Sequence, residues 1–112
     1  MTKRKRTIAI DFDHTLWDPA GKCLLAGAKA SLATLRDYGC YIIVHSCNNP
    51  QYIKQCLAEA GIWADAIWGE NPADCGSKPD ADAYVDDKGI RFTTWADTMA
   101  QLEGLVKPGG QG

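Results

Sequence analysis

Apolar residues in this chain follow two alternating rhythms, short unbroken runs and longer stretches with helical spacing, and each predicts its own kind of element. The runs predict strands over residues 7–13, 40–46, 66–68 and 83–87, with a brief edge strand over 90–92. Between them, helical spacing predicts a helix over 26–38 with Ala28, Leu32 and Leu35 on its buried stripe, stopped by Gly39 in a left-handed cap. A second helix is predicted from the Asn49-Pro50 pair, an N-cap followed by proline at the first helical position, through Ala60, with Ile53, Cys56, Leu57 and Ala60 inward and Gly61 ending it. Thr94-x-x-Asp97 resembles a capping box opening a last helix that buries Trp95, Met99, Leu102 and Val106. Residues 69–79 are polar, carry two prolines and show no helical period. Strand and helix alternating in this way predict an α/β fold, a doubly wound parallel sheet covered by helices on both faces.

Length and composition narrow the class. At 112 residues the chain is expected to form one domain (1–112), with a basic arm over 1–6 and a flexible Gly-rich tail over 108–112. No apolar stretch approaches the length of a membrane span, so no membrane association is expected. Five cysteines, with no CxxC pair, argue against a disulfide framework and a zinc knuckle and favour the cytoplasm. The net charge of −2 conceals an asymmetry: Lys3, Arg4, Lys5 and Arg6 carry four positive charges, leaving −6 on the remainder. This cluster is read as a solvated arm that keeps the first strand soluble, and it gives nucleic acid only weak support as a partner.

The chemistry lies where the strands end. Asp11 and Asp13 close the first, Ser46 and Asn48 follow the second, and Asp86 and Asp87 close the fourth. In a doubly wound sheet, ligands sit beyond the carboxyl ends of the strands where the strand order reverses, so the fold would bring these groups together. Four carboxylates in one crevice need compensation, and magnesium, a hard cation preferring oxygen ligands, is the expected cofactor. Lys78 would neutralise part of the remainder, and the N-terminus of the helix after Ser46-Cys47-Asn48 would present backbone N–H groups to a phosphate.

In this order the residues resemble the motifs of the haloacid dehalogenase superfamily of aspartate-nucleophile phosphohydrolases. Asp11-Phe12-Asp13-His14-Thr15-Leu16 looks like its first motif, Ile42-Ile43-Val44-His45-Ser46 its second, Lys78-Pro79 its third and Tyr84-Val85-Asp86-Asp87 its fourth. The resemblance implies that Asp11 attacks phosphorus and that Asp13 protonates the leaving oxygen and then activates water. It also implies that Ser46, with Cys47, Asn48 and Lys78, holds the phosphoryl oxygens. Magnesium would be held by Asp11, the main-chain carbonyl of Asp13, and Asp87, with Asp86 either a further ligand or the group orienting Lys78 or a metal-bound water. His14 stands where the family most often has glycine. Lys54 is the second candidate for the lysine role.

Larger relatives carry a cap domain. Here residues 17–25 leave room only for a minimal flap, so the expected architecture is a capless, Rossmann-like core whose open site takes a small or macromolecular phosphorylated substrate. Trp17 is expected to pack rather than to stack on a leaving group. Trp63, Trp68 and Trp95 are assigned to the core or an interface, and His45 to the core. Asp80 and Asp82 are read as loop-solvating charges, with an outer-shell role at the metal as the alternative. Nucleotide or nucleic-acid-end and sugar-phosphate phosphatases are the two enzymatic readings. A receiver-like domain, whose lysine would follow the last strand rather than precede Asp86, and a silent phosphate-binding module are the others.

Overall fold

A computed structural model of the chain describes residues 6–46, 49–70, 79–86 and 90–106. Strands β1 (Thr7–Asp11), β4 (Tyr41–His45), β5 (Ala66–Ile67), β6 (Ala83–Asp86) and β7 (Ile90–Arg91) form one sheet in the order β5-β4-β1-β6-β7. Every pairing in it is parallel. A separate two-stranded antiparallel hairpin joins β2 (Trp17–Asp18) to β3 (Cys23–Leu24), within the stretch where a minimal flap was expected. The helices are α1 (Ala28–Asp37), α2 (Pro50–Ala60) and α3 (Trp95–Val106). None of them is long and apolar enough to cross a membrane.

The core sits on one face of the sheet. Ile8, Ile10, Ile42, Val44, Ala83 and Val85 are in register with one another across β4, β1 and β6, so their side chains point the same way. They join one buried cluster with Leu32 and Leu35 of α1, Ile53 and Leu57 of α2, and Trp95 and Leu102 of α3. The described helices thus all contribute to the same face, where the sequence predicted helices on both. Ala9 and Ile43, which point the other way, are also buried.

Capping chemistry sets the helix ends. Asn49 Oδ1 accepts from Gln51 N at 2.8 Å, and Gly61 closes α2 at φ 71°. Asp97 N donates to Thr94 Oγ1 at 3.1 Å, but the Asp97 carboxylate accepts from the Thr93 hydroxyl, so the expected reciprocal box is only half formed. Helix α1 starts two residues later than predicted, behind Gly27 at φ 84° with no side-chain cap. A Cβ on Gly27 would lie 3.0 Å from Trp95 Cβ, whereas one on Gly39, also at φ 84°, meets nothing within 4 Å. Gly39→Ala is therefore expected to destabilise by about 1–2 kcal/mol through backbone conformation alone. Gly27→Ala should exceed it by roughly 1 kcal/mol or more because Trp95 is tightly packed. Urea unfolding of both variants measures the difference.

Two aspartates extend the ladder at the amino ends of the strands. Asp65 N donates to Ile42 O while Asp65 Oδ2 accepts from Ile42 N at 2.7 Å; Asp82 does the same with Thr7, its Oδ2 accepting from Thr7 N at 2.7 Å. Asp82 also lies 4.0 Å from the Arg6 guanidinium. It stands at the opposite end of the sheet from the strand-end acids, which rules out the outer-shell role and corrects the reading of Asp82 as a solvating charge. Asp80 is exposed, as expected.

Cys23, Cys40 and Cys56 are free thiols. Burial pushes the Cys40 thiol up to about 11.

Candidate active site

Strand β1 ends at Asp11, two residues before the predicted boundary, because the Phe12 carbonyl leaves the ladder. It accepts from the N–H groups of Thr15, Leu16 and Trp17 at 3.3, 2.9 and 3.0 Å, winding residues 12–17 into a tight turn. Asp13 is therefore placed by this turn and by its bridge with Trp17, not by the strand pleat that spacing alone suggested. His14 N donates to Trp17 O at 2.7 Å, and His14 adopts φ 65° with its side chain exposed. That left-handed conformation is one that glycine adopts without strain.

Trp95 anchors the same turn from the far end of the chain. Its Nε1 donates to Thr15 O at 2.8 Å, and both residues are buried.

Strand order reverses at β1: the chain moves from β1 to β4 and β5 on one side, then returns to β6 and β7 on the other. The carboxyl ends of β1 and β6 flank this switch point, the place where such sheets bind ligands. Asp11 closes β1 and Asp86 closes β6, each one step beyond the registered pair Ile10↔Val85. Asp11 is half-buried and Asp86 is buried at 7% exposure. The Asp11 carboxyl is held above its ordinary range, first by desolvation and then by the charges of Asp13 and Asp86. The Phe12 N–H and His45 pull it back. Asp11 Oδ1 accepts from Phe12 N at 2.9 Å, which commits that oxygen to the backbone and fixes the side chain.

His45 belongs to this group. It is half-buried and pairs in register with Asp11, so the two side chains leave the sheet on the same face. The sequence reading placed it in the core. Aligning the apolar runs of β1 and β4 side by side would have put His45 next to Asp11, since each run is followed at once by its polar residue.

The other expected site residues divide in two. Ser46 follows β4 directly and is half-buried at the same end of the sheet. Lys78, Cys47, Asn48 and Asp87 lie outside the described residues. At the start of α2, the Gln51 amide is occupied by the Asn49 cap, which removes one donor from the anticipated phosphate cradle. Lys54 pairs with Glu70 at 3.0 Å, with most of its side chain in solvent. That engagement weakens it as the second candidate for the lysine role.

Among the described residues, no group of three or more His, Cys, Asp and Glu side chains is placed to hold a metal ion. The expected set of Asp11, Asp13, Asp86 and Asp87 is not complete within that count, because Asp87 falls outside it and Asp13 was expected to contribute a main-chain carbonyl. The donors that are present fit a hard cation. They are oxygens, Asp11 and Asp86 leave neighbouring strands on the same face beside the switch point, and the charges of Asp13 and Asp86 add to the desolvation that raises the Asp11 carboxyl.

The fold has a counterpart among solved structures. A conserved protein from Bacteroides thetaiotaomicron superposes with a TM-score of 0.71 at 19% identity, covering 96% of this chain and 100% of that one. The likeness bears on the fold alone. No protein-family model matches the sequence, and no curated protein matches it.

Proposed function

We propose that this chain is a magnesium-dependent phosphomonoesterase of the haloacid dehalogenase type, working through an aspartyl-phosphate on Asp11. The observation that carries the reading is the placement of Asp11 and Asp86 at the ends of adjacent strands beside the switch point, with Asp13 in the turn that follows and the Asp11 carboxyl raised by burial and, to a smaller extent, by the charges of both acids. A purely structural cluster of like charges would destabilise the fold without return. The positive φ of His14 adds support, since it accounts for glycine being commonest at that position of the family's first motif.

In the proposed reaction the Asp11 carboxylate attacks phosphorus as the ester P–O bond breaks, and Asp13 gives its proton to the departing oxygen. Asp13 then takes a proton from the water that cleaves the acyl phosphate, releasing inorganic phosphate and restoring Asp11. Asp11, the Asp13 carbonyl, Asp86 and Asp87 are the groups that would hold magnesium. When bound, that ion supplies positive charge against the phosphoryl oxygens. Ser46 and the amides after it bind those oxygens, and Lys78 is assigned to the same task.

Phosphate release from an aryl phosphate and a panel of nucleotides and sugar phosphates tests the reading. Turnover is expected with magnesium, to fall to background with a chelator, and to return when magnesium is added back in excess. Turnover indifferent to chelation would sink the metal-dependent mechanism. Stable phosphorylation of Asp11 without release would favour the receiver-like reading instead.

A further inference from the structure

The acid–base residue Asp13 stands beside an aromatic group. Phe12, fully buried, lies between Asp11 and Asp13 in sequence. Trp17 stacks on it at 5.7 Å and 13° and is only 8% exposed, while Tyr52 of α2 meets it edge-on at 6.4 Å and 89°. Phe12 and Trp17 spend their faces on each other, which agrees with the packing role expected for Trp17. Tyr52 remains 41% exposed. Its phenol is pushed above the ordinary range, first by hydrogen bonding with the Cys56 thiol, then by partial desolvation, by the thiol's charge and by the charge of Asp13; the Trp17 indole N–H acts in the opposite sense. The Tyr52 ring thus lies against Phe12 in the turn whose Asp13 bridges Trp17, the residue stacked on the same Phe12.

A phosphate ester bound to Asp11 must place its leaving oxygen against the proton donor, Asp13. Whatever is attached to that oxygen then extends over the surface of this turn, where, among the described residues, Tyr52 is the exposed aromatic side chain packed on Phe12. We propose that Tyr52, held edge-on by Phe12, is a specificity residue that selects phosphate monoesters whose leaving group carries an aromatic ring. This rests on the phosphohydrolase reading and narrows its substrate class. The ring is either bonded directly to the ester oxygen, as in an aryl phosphate, or carried one sugar away, as in a nucleoside monophosphate. An aromatic contact of this kind is worth roughly three- to tenfold in selectivity.

The test compares wild type, Tyr52→Leu and Tyr52→Phe on two substrate pairs, phenyl phosphate against ethyl phosphate and adenosine monophosphate against ribose 5-phosphate, with Asp11→Asn as the control for the chemistry. The expected result is a three- to tenfold fall in the kcat/KM ratio of one pair in Tyr52→Leu, with the ratio kept in Tyr52→Phe because the ring survives. The pair that responds identifies the ring's position. If turnover depends on Asp11 but neither ratio moves in Tyr52→Leu, the specificity role is overturned and the phosphohydrolase stands. If no ester is turned over, the phosphohydrolase reading fails, and calorimetric binding of phenylphosphonate against ethylphosphonate decides the aromatic contact. A preference for phenylphosphonate lost in Tyr52→Leu upholds it; equal binding, or none, overturns it.

Discussion

Asp11→Asn is expected to abolish magnesium-dependent phosphate release, by on the order of 10³-fold or more, while making the metal-free protein more stable to heat. The two effects have one origin. The Asp11 carboxyl is raised above 3.8, chiefly by desolvation and further by Asp13 and Asp86. A group whose folded pKa exceeds its unfolded one binds more protons in the native state across that interval. Stability therefore falls as pH climbs from the unfolded value through the folded one, and the loss persists above it. Asparagine keeps an oxygen for the Phe12 N–H but carries no charge to desolvate or repel. At pH 7 without metal the variant should melt above wild type, and the gap should shrink in acid as Asp11 takes up its proton. Magnesium should narrow the gap too, by stabilising wild type in proportion to its binding. A variant that melts at or below wild type at pH 7 would remove the argument that these acids oppose one another.

The largest stability effect is expected at Trp95. Replacing it with alanine empties a site that is 98% buried beside Phe92, Gly27 and the Thr15 carbonyl. Large-to-alanine changes at such aromatic sites cost about 3–5 kcal/mol, against a total stability of roughly 5–15 kcal/mol for an ordinary domain. Urea midpoints should fall accordingly. Trp95→Phe restores much of the volume but leaves the buried Thr15 carbonyl without its donor, a penalty of about 1–3 kcal/mol. Because that carbonyl belongs to the turn carrying Asp13, the phenylalanine variant should lose phosphatase rate at temperatures where it remains folded. Equal urea midpoints for wild type and Trp95→Phe would show that the hydrogen bond contributes nothing.

The sequence made the elements legible wherever a local signal was strong. Asn49-Pro50 and Gly61 bound α2 where expected, and the apolar centre of β4, Ile42 to Val44, is buried as its continuous run implied. Legibility failed where a distant partner decides the outcome. The end of β1 is set by the Phe12 carbonyl turning to Thr15, Leu16 and Trp17, and no periodicity announces that choice. Asp82 carried no local sign that its carboxylate would meet Thr7 N, because parallel pairing brings together residues far apart in the chain. Tyr52 drew no reading from the sequence; only the packing of α2 against Phe12 brings it to the turn that carries Asp13. His45 was missed for a different reason: the inter-strand register that pairs it with Asp11 is a property of two strands, not of one.

Strand β1 occupies the middle of the sheet, yet a ribosome delivers it before any of the strands it pairs with. Its two neighbours, β4 and β6, emerge later, and the indole that fastens the Asp13 turn emerges later still, eighty positions after the carbonyl it binds. Asp11 and Asp13 thus precede, in order of synthesis, the strands and the indole that shape their surroundings. A nascent chain halted before α3 carries Asp11 and Asp13 but not the indole that fastens the turn between them and Trp17, so the proposed site would take its final shape only after α3 has been made.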